Sequence, residues 1–232
     1  MDDIEKTRVI QSMKGISSGE TGANFPIRLD DMSVIGYLRA IDRNILGDME
    51  LTGRMASART RYKTCFLTQF DVTPENKRSW LEHSVLRNEK KMLFLVEAED
   101  HIVVGQDGFT LQNNGIFSLD GTIRWHKYGH KELYVRCGIE RAAICFFLLS
   151  CCLSTTEVFK DNIPNVKNSL KMGHEIVKEH KLFLSEKDGV FRYNKIGDDA
   201  KSNTDRTLLS FEMSRERFLC LHPGISESYR RA

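Results

Sequence analysis

The spacing of apolar positions divides this chain into alternating helical and extended segments. Val34, Tyr37, Leu38, Ile41 and Ile45 recur at helical intervals, and Asp30 or Asp31 stands where a cap belongs. The pattern predicts a helix over about 30–44, behind a short strand at Ile27 to Leu29. Residues 46–71 show no clear period and hold the basic residues Arg54, Arg59, Arg61 and Lys63 beside one extended run, Thr64 to Thr68. That segment is either a solvated basic face or a lip that binds an anionic substrate. Thr73-Pro74-Glu75 then supplies a cap, a first-position proline and a first-turn acid, so a helix runs to about Asn88. Three strands follow at 92–98, 102–111 and 115–125, with Asn113-Asn114-Gly115 as a hairpin signal. After a loop at 126–137, Gly138 opens an apolar helix to about Cys152. The remainder reads as strand 155–160, helix 163–172, strand 175–184, a polar loop at 185–204, and a last strand at 207–213.

This order, β-α-(α)-β-β-β-α-β-α-β-β, predicts an α/β fold with a mixed, mostly antiparallel central sheet and helices on both faces. Residues 1–24 are polar and glycine-rich near their end, which suggests a flexible N-terminal arm. Residues 25–220 form the expected domain, and 221–232 the expected C-terminal tail. No internal repeat is evident.

Composition narrows the class. At 41% hydrophobic and 28% charged the chain is an ordinary globular sequence, and a formal net charge of +2 supplies no broad field to recruit nucleic acid. The six cysteines include no C-x-x-C pair, which predicts reduced, mostly buried thiols and no metal site. The start is acidic and polar, and the longest apolar run, Ala142 to Leu149, falls well short of the roughly 20 residues of a membrane span. A cytoplasmic protein is expected, without membrane association; a homodimer is compatible with these features.

One segment is more specific. Asn162 opens a short amphipathic helix between two strands, and Gly173 follows eleven residues later with His174 after it. Strand, Asn, helix, Gly, strand resembles the end of the cofactor-binding core in the GNAT superfamily of acyl-CoA-dependent N-acyltransferases, where Phe is usual at the His174 position. Thr73-Pro-Glu before Trp80, the Val104-Gly105 pair and the Phe211 to Glu216 end resemble the branch that acylates amino groups of proteins or of nucleotide-linked amino sugars. The resemblance covers about residues 27–218.

It implies acetyl-CoA, or another acyl-CoA, as co-substrate, held between strands 115–125 and 155–160. Its pyrophosphate would rest near Gly138, where the chain reads Val135-Arg-Cys-Gly138-Ile-Glu140 and a glutamate replaces the second glycine of the family's loop. The cofactor-binding candidates are Lys131, Arg136, Cys137, Gly138, Ile139, Arg141 and Asn162. Ser169 falls where many members carry the tyrosine that protonates the leaving thiolate. His126, Asp120 and, in addition, His130 are candidate proton acceptors, since direct attack on a thioester requires a neutral amine. The implied acceptor is a small-molecule primary amine, foremost that of a nucleotide-linked amino sugar whose diphosphate the 54–63 basic segment would bind. Acetylation of protein N-termini or lysines, and a non-catalytic binding module, are the alternatives.

Overall fold

An inner strand of the sheet, β4 (Lys91–Ala98), shows why the molecule has a core on each face. Its Met92, Phe94 and Val96 face one side and join Phe109 and Phe117 in the larger cluster. Leu93 and Leu95 face the other side and pack on Leu51, Met55 and Leu81. Alternation at period two with both faces buried is what a covered central strand requires. The structure, a computed structural model, describes residues 1–16 and 21–231.

The described strands are β1 (Asn24–Arg28), β2 (Val34–Ala40), β3 (Thr68–Gln69), β4, β5 (Val103–Leu111), β6 (Ile116–Arg124), β7 (Leu153–Phe159), β8 (Glu175–Lys187), β9 (Val190–Lys195) and β10 (Thr207–Ser214). They form one sheet in the order β1-β2-β4-β5-β6-β7-β10-β8-β9-β3. Every pairing is antiparallel except β6 with β7. Helices α2 (Met49–Arg61) and α3 (Pro74–Trp80) cover one face, and α4 (Leu133–Ala143) and α5 (Ile163–Lys171) the other. Both α3 and α4 run on into a π-helical turn, at Leu81–Leu86 and Ile144–Leu148. The expected fold class is the observed one.

Several boundaries differ from expectation. Residues 34–40 form β2 rather than a helix, because the β-branched Val34 and Ile35 fill a slot between β1 and β4. Gly36 permits that close pairing, since a Cβ there would lie 2.3 Å from the Glu97 carbonyl oxygen. The aperiodic segment holds α2, capped by Asp48, whose carboxylate accepts the Leu51 N–H at 2.9 Å. The polar loop at 185–204 contains β9, joined to β8 across Asp188-Gly189, both at positive φ.

The termini are also built in. Helix α1 (Asp3–Met13) starts with a capping box between Asp2 and Glu5. Its Ile10 and Met13 enter the larger core, where a loose arm was expected. Lys14 Nζ donates to the carbonyls of Val85 and Asn88, at 2.7 Å each, at the end of the α3 π turn. Residues 17–20 of the expected arm lie outside the described residues. At the other end, after α6 (Arg215–Leu221), helix α7 (Pro223–Arg231) stands where a tail is expected: Ile225 is buried, and Tyr229 donates to Glu140 at 2.7 Å.

Candidate active site

The single parallel pairing creates the site. β6 and β7 pair only at Ile116↔Leu153, Phe117↔Ser154 and Ser118↔Thr155. Beyond Ser118 and Thr155 their facing edges have no strand partner among the described residues, although each strand stays paired on its outer side. Two rows of main-chain N–H and C=O groups therefore face a wedge-shaped opening. Such groups demand partners.

β6 bends as it leaves. Its register on β5 steps from Gly108↔Asp120 to Gln106↔Ile123, which puts an extra residue on β6. Gly121 takes the positive φ of 75° that the bulge needs. Two adjacent β5 side chains hold the bulge from opposite faces. Gln106 Nε2 donates to the Gly121 carbonyl at 2.7 Å on the α2/α3 side. On the α4 side, the Asp107 carboxylate accepts the Thr122 hydroxyl, the Cys137 thiol and the Arg141 guanidinium. Arg141 and Asp107 are buried, and burial pushes the Cys137 thiol well up.

The start of α4 differs from the sequence expectation. The helix begins at Leu133, not at Gly138, and its N-cap residue, Glu132, makes no side-chain cap. The loop before it is therefore 125–132. Cys137, Gly138 and Ile139 lie buried one to two turns inside the helix. Gly138 serves close packing there, since a Cβ would fall 2.0 Å from the Met172 sulfur. Arg136 is engaged by Asp30 and Glu132, and Arg141 by Asp107. Glu140 faces Arg28 and Tyr229 rather than any cofactor loop; burial raises its carboxyl above the usual range. The reason is that Tyr134, partly buried with its hydroxyl on the Ile123 carbonyl at 3.0 Å, anchors the first turn earlier than the apolar period suggests.

The remaining candidates spread along the opening. Asp120 sits on β6 two residues past its last pairing with β7, on the α2/α3 face, bound by Lys91 Nζ and by the Thr110 hydroxyl at 3.4 Å. His126 and Lys131 are exposed in the loop before α4. The His126 ring nitrogen Nδ1 accepts the Tyr128 N–H at 3.1 Å, and His130 Nδ1 accepts the Glu132 N–H at 3.3 Å. His126, five residues after Gly121, lies beyond the end of β6, which stops at Arg124. Asn162 starts α5 without using its side chain as a cap. Ser169 is buried on α5. His174 is buried, and its Nε2 lies 2.9 Å from the Ser154 hydroxyl. Burial, reinforced by the Arg141 charge, lowers the His174 imidazole to about 4, so it is neutral at physiological pH.

The α2/α3 face of the opening has a roof that the sequence did not reveal. The chain leaving α2 turns at Lys63–Cys65 and crosses to the far edge, where β3 pairs with β9. Leu67 packs on the cluster of Phe159, Leu182 and Leu208. Arg206, paired with Asp161, donates to the Thr64 carbonyl at 2.8 Å and lies 3.7 Å over the Phe159 ring. Arg59 stacks on Phe66 of this segment, and Lys77 and Lys91 lie over the Trp80 ring on the same face of the sheet. Among the described residues no cluster of His, Cys, Asp or Glu suits a metal ion, and no helix is long and apolar enough to cross a membrane.

Solved structures share this architecture. A probable GNAT-family acetyltransferase from Chromobacterium violaceum superposes with a TM-score of 0.59 at 11% identity, over 86% of this chain and 90% of that one. FdhC, a nucleotide-linked sugar GNAT, gives 0.59 at 16% identity, over 90% and 98%. The spermidine N-acetyltransferase of Vibrio cholerae, solved with CoA and spermine, gives 0.58 at 13% identity, over 78% and 96%. No family model and no curated protein matches the chain. The chain has the GNAT fold, and the resemblance first carried by Asn162 to Gly173 holds at that level.

Proposed function

We propose that this chain is an acyl-CoA-dependent N-acetyltransferase whose acceptor is the primary amine of a nucleotide-linked amino sugar. The observation that carries the reading is the separation of β6 from β7 after three paired positions. The residues present suit acyl-CoA: two open strand edges match the amides of a pantetheine arm, and the uncapped N-terminus of α4 suits a pyrophosphate. Acetyl-CoA supplies the activated acyl group. The Asn162 side chain, not engaged as a cap, is available to a pantetheine amide, and Lys131 adds positive charge beside the start of α4.

The chain's own contribution is to orient two reactants and to manage one proton. Main-chain N–H groups of β6 at the bulge are the donors for a developing oxyanion. Asp120 is the proton acceptor, because it lies at the divergence and faces the acceptor side, whereas His126 lies at the pyrophosphate end. The roof over 62–67 favours a small acceptor over a protein surface. The likeness to a nucleotide-linked sugar GNAT supports the sugar, and the basic end of α2 offers charge for a diphosphate.

The test is a thermal melt with millimolar acetyl-CoA, followed by thiol release with a nucleotide-diphosphate amino sugar, spermidine and a lysine peptide. A stabilised melt and turnover of the sugar are expected. No stabilisation overturns acyl-CoA binding, and turnover of the peptide alone overturns the acceptor.

A further inference from the structure

The α2/α3 face of the opening carries unbalanced positive charge. Among the described residues, Lys91 forms an ion pair with Asp120, while Arg59 and Lys77 form none. Lys77 is only 4% exposed; its Nζ makes one hydrogen bond, to Gln106 Oε1 at 3.3 Å, and lies 4.0 Å from the centre of the Trp80 ring. Lys91 Nζ lies 5.2 Å from the same ring. Arg59 stacks its guanidinium 3.7 Å over Phe66, and its Nη2 donates to the Thr68 carbonyl at 2.7 Å. Its Nη1 is buried and has no hydrogen-bond partner among the described residues.

We propose that Arg59 and Lys77 form an anion-recognition element of the acceptor site, so that the acceptor amine carries a phosphate or carboxylate group and is not a polyamine. This rests on the acetyltransferase reading for the word acceptor, and on nothing else in it. A buried, unpartnered guanidinium N–H is a group that native structures keep for a partner, and Arg59 Nη1 is the donor to that anion. Lys77 stands behind it and contributes field, which low-dielectric walls concentrate. The charged groups acting on Lys77 are Arg59 from α2, Lys91 from β4 and Asp120 from β6. Burial first, then repulsion from Arg59 and Lys91, lowers the Lys77 ammonium to about 7. An incoming anion offsets that repulsion and draws a proton onto Lys77, whereas a polyamine adds to it.

The experiment is calorimetric titration near pH 7 with inorganic pyrophosphate, succinate and spermidine. Saturating CoA is present to occupy the α4 end. Pyrophosphate or succinate is expected to bind with proton uptake, seen as a dependence of the heat on buffer ionisation enthalpy, and spermidine is expected not to bind. Tighter pyrophosphate assigns a phosphoryl group, tighter succinate a carboxylate. Arg59→Met is expected to weaken the anion about tenfold or more, and Lys77→Met to abolish proton uptake. Should Lys77→Met fail to fold, the partly exposed Arg59→Met decides alone. Unchanged anion affinity in Arg59→Met, or spermidine binding tighter than both anions, overturns the proposal. Loss of CoA binding with the Arg59-dependent anion site intact overturns the acetyltransferase reading instead.

Discussion

Arg141 on α4 and Asp107 on β5 form an ion pair whose side chains are 2% and 1% exposed, and the carboxylate also holds Thr122 at the β6 bulge. Removing one partner strands the other charge in the core. Asp107→Leu is expected to cost about 3–5 kcal/mol, and the double variant Asp107→Leu with Arg141→Met clearly less than the sum of the singles. Urea unfolding of all three variants measures both quantities.

Gly105 makes room for Tyr134. A Cβ at 105 would fall 1.4 Å from the Tyr134 hydroxyl and 2.4 Å from the Ile123 carbonyl. Gly105→Ala is expected to destabilise by about 1–3 kcal/mol through overpacking. Combined with Tyr134→Phe, which removes the clashing oxygen, the penalty should fall below additivity. Thermal melts of the two singles and the double give the coupling.

His174 ties stability to acid. Its folded value, about 4, lies below the ordinary 6.5, so the unfolded chain binds the extra proton first. Stability from this group is complete above about pH 6.5 and is lost as pH falls toward 4, by about 3 kcal/mol. Denaturant midpoints at pH 7 and pH 5 should therefore differ more in the natural chain than in His174→Phe. Equal pH dependence in the two would refute the assignment.

Deleting the Lys14 ammonium leaves the carbonyls of Val85 and Asn88 without their donor. Lys14→Met should cost about 1–3 kcal/mol. Burial lowers the Lys14 ammonium to about 8, so the unfolded chain holds more protons above that pH. Its burial penalty is therefore present below pH 8 and relieved as pH rises toward 10.5, and Lys14→Met should flatten that rise. Denaturation between pH 7.5 and 9.5 checks the slope.

Asp120 lies where the strands part, so Asp120→Asn should lower kcat for acetyl transfer by about 10²–10⁴-fold, with little change in the thermal shift given by acetyl-CoA. Thiol-release kinetics measure the first and melting curves the second. His126→Ala, further along the chain, should change kcat far less.

Local chemistry was legible where it acts over a few residues. The cap at Thr73-Pro74, the β4–β5–β6 meander and the run from Asn162 to Gly173 are visible because turn residues and apolar alternation act locally. Asp48 before Leu51 and Met55, and Asp188-Gly189 between extended runs, were signals of the same kind for α2 and β9. The segment 34–40 is a strand where its spacing predicts a helix, because that spacing fits both and only pairing with β1 and β4 decides between them.

By itself, then, the sequence determined the mixed sheet, its helices on both faces and the GNAT fold. Tertiary structure decided the site. Three paired positions between β6 and β7 leave the edges open. Tyr134 moves the start of α4 to Leu133 and takes Gly138 and Glu140 out of the cofactor loop. The roof from α2 to β9 brings Arg59 above a face it shares with Lys77 and Asp120. These relationships join residues far apart along the chain, and neither apolar period nor local propensity encodes which side chains meet across a sheet.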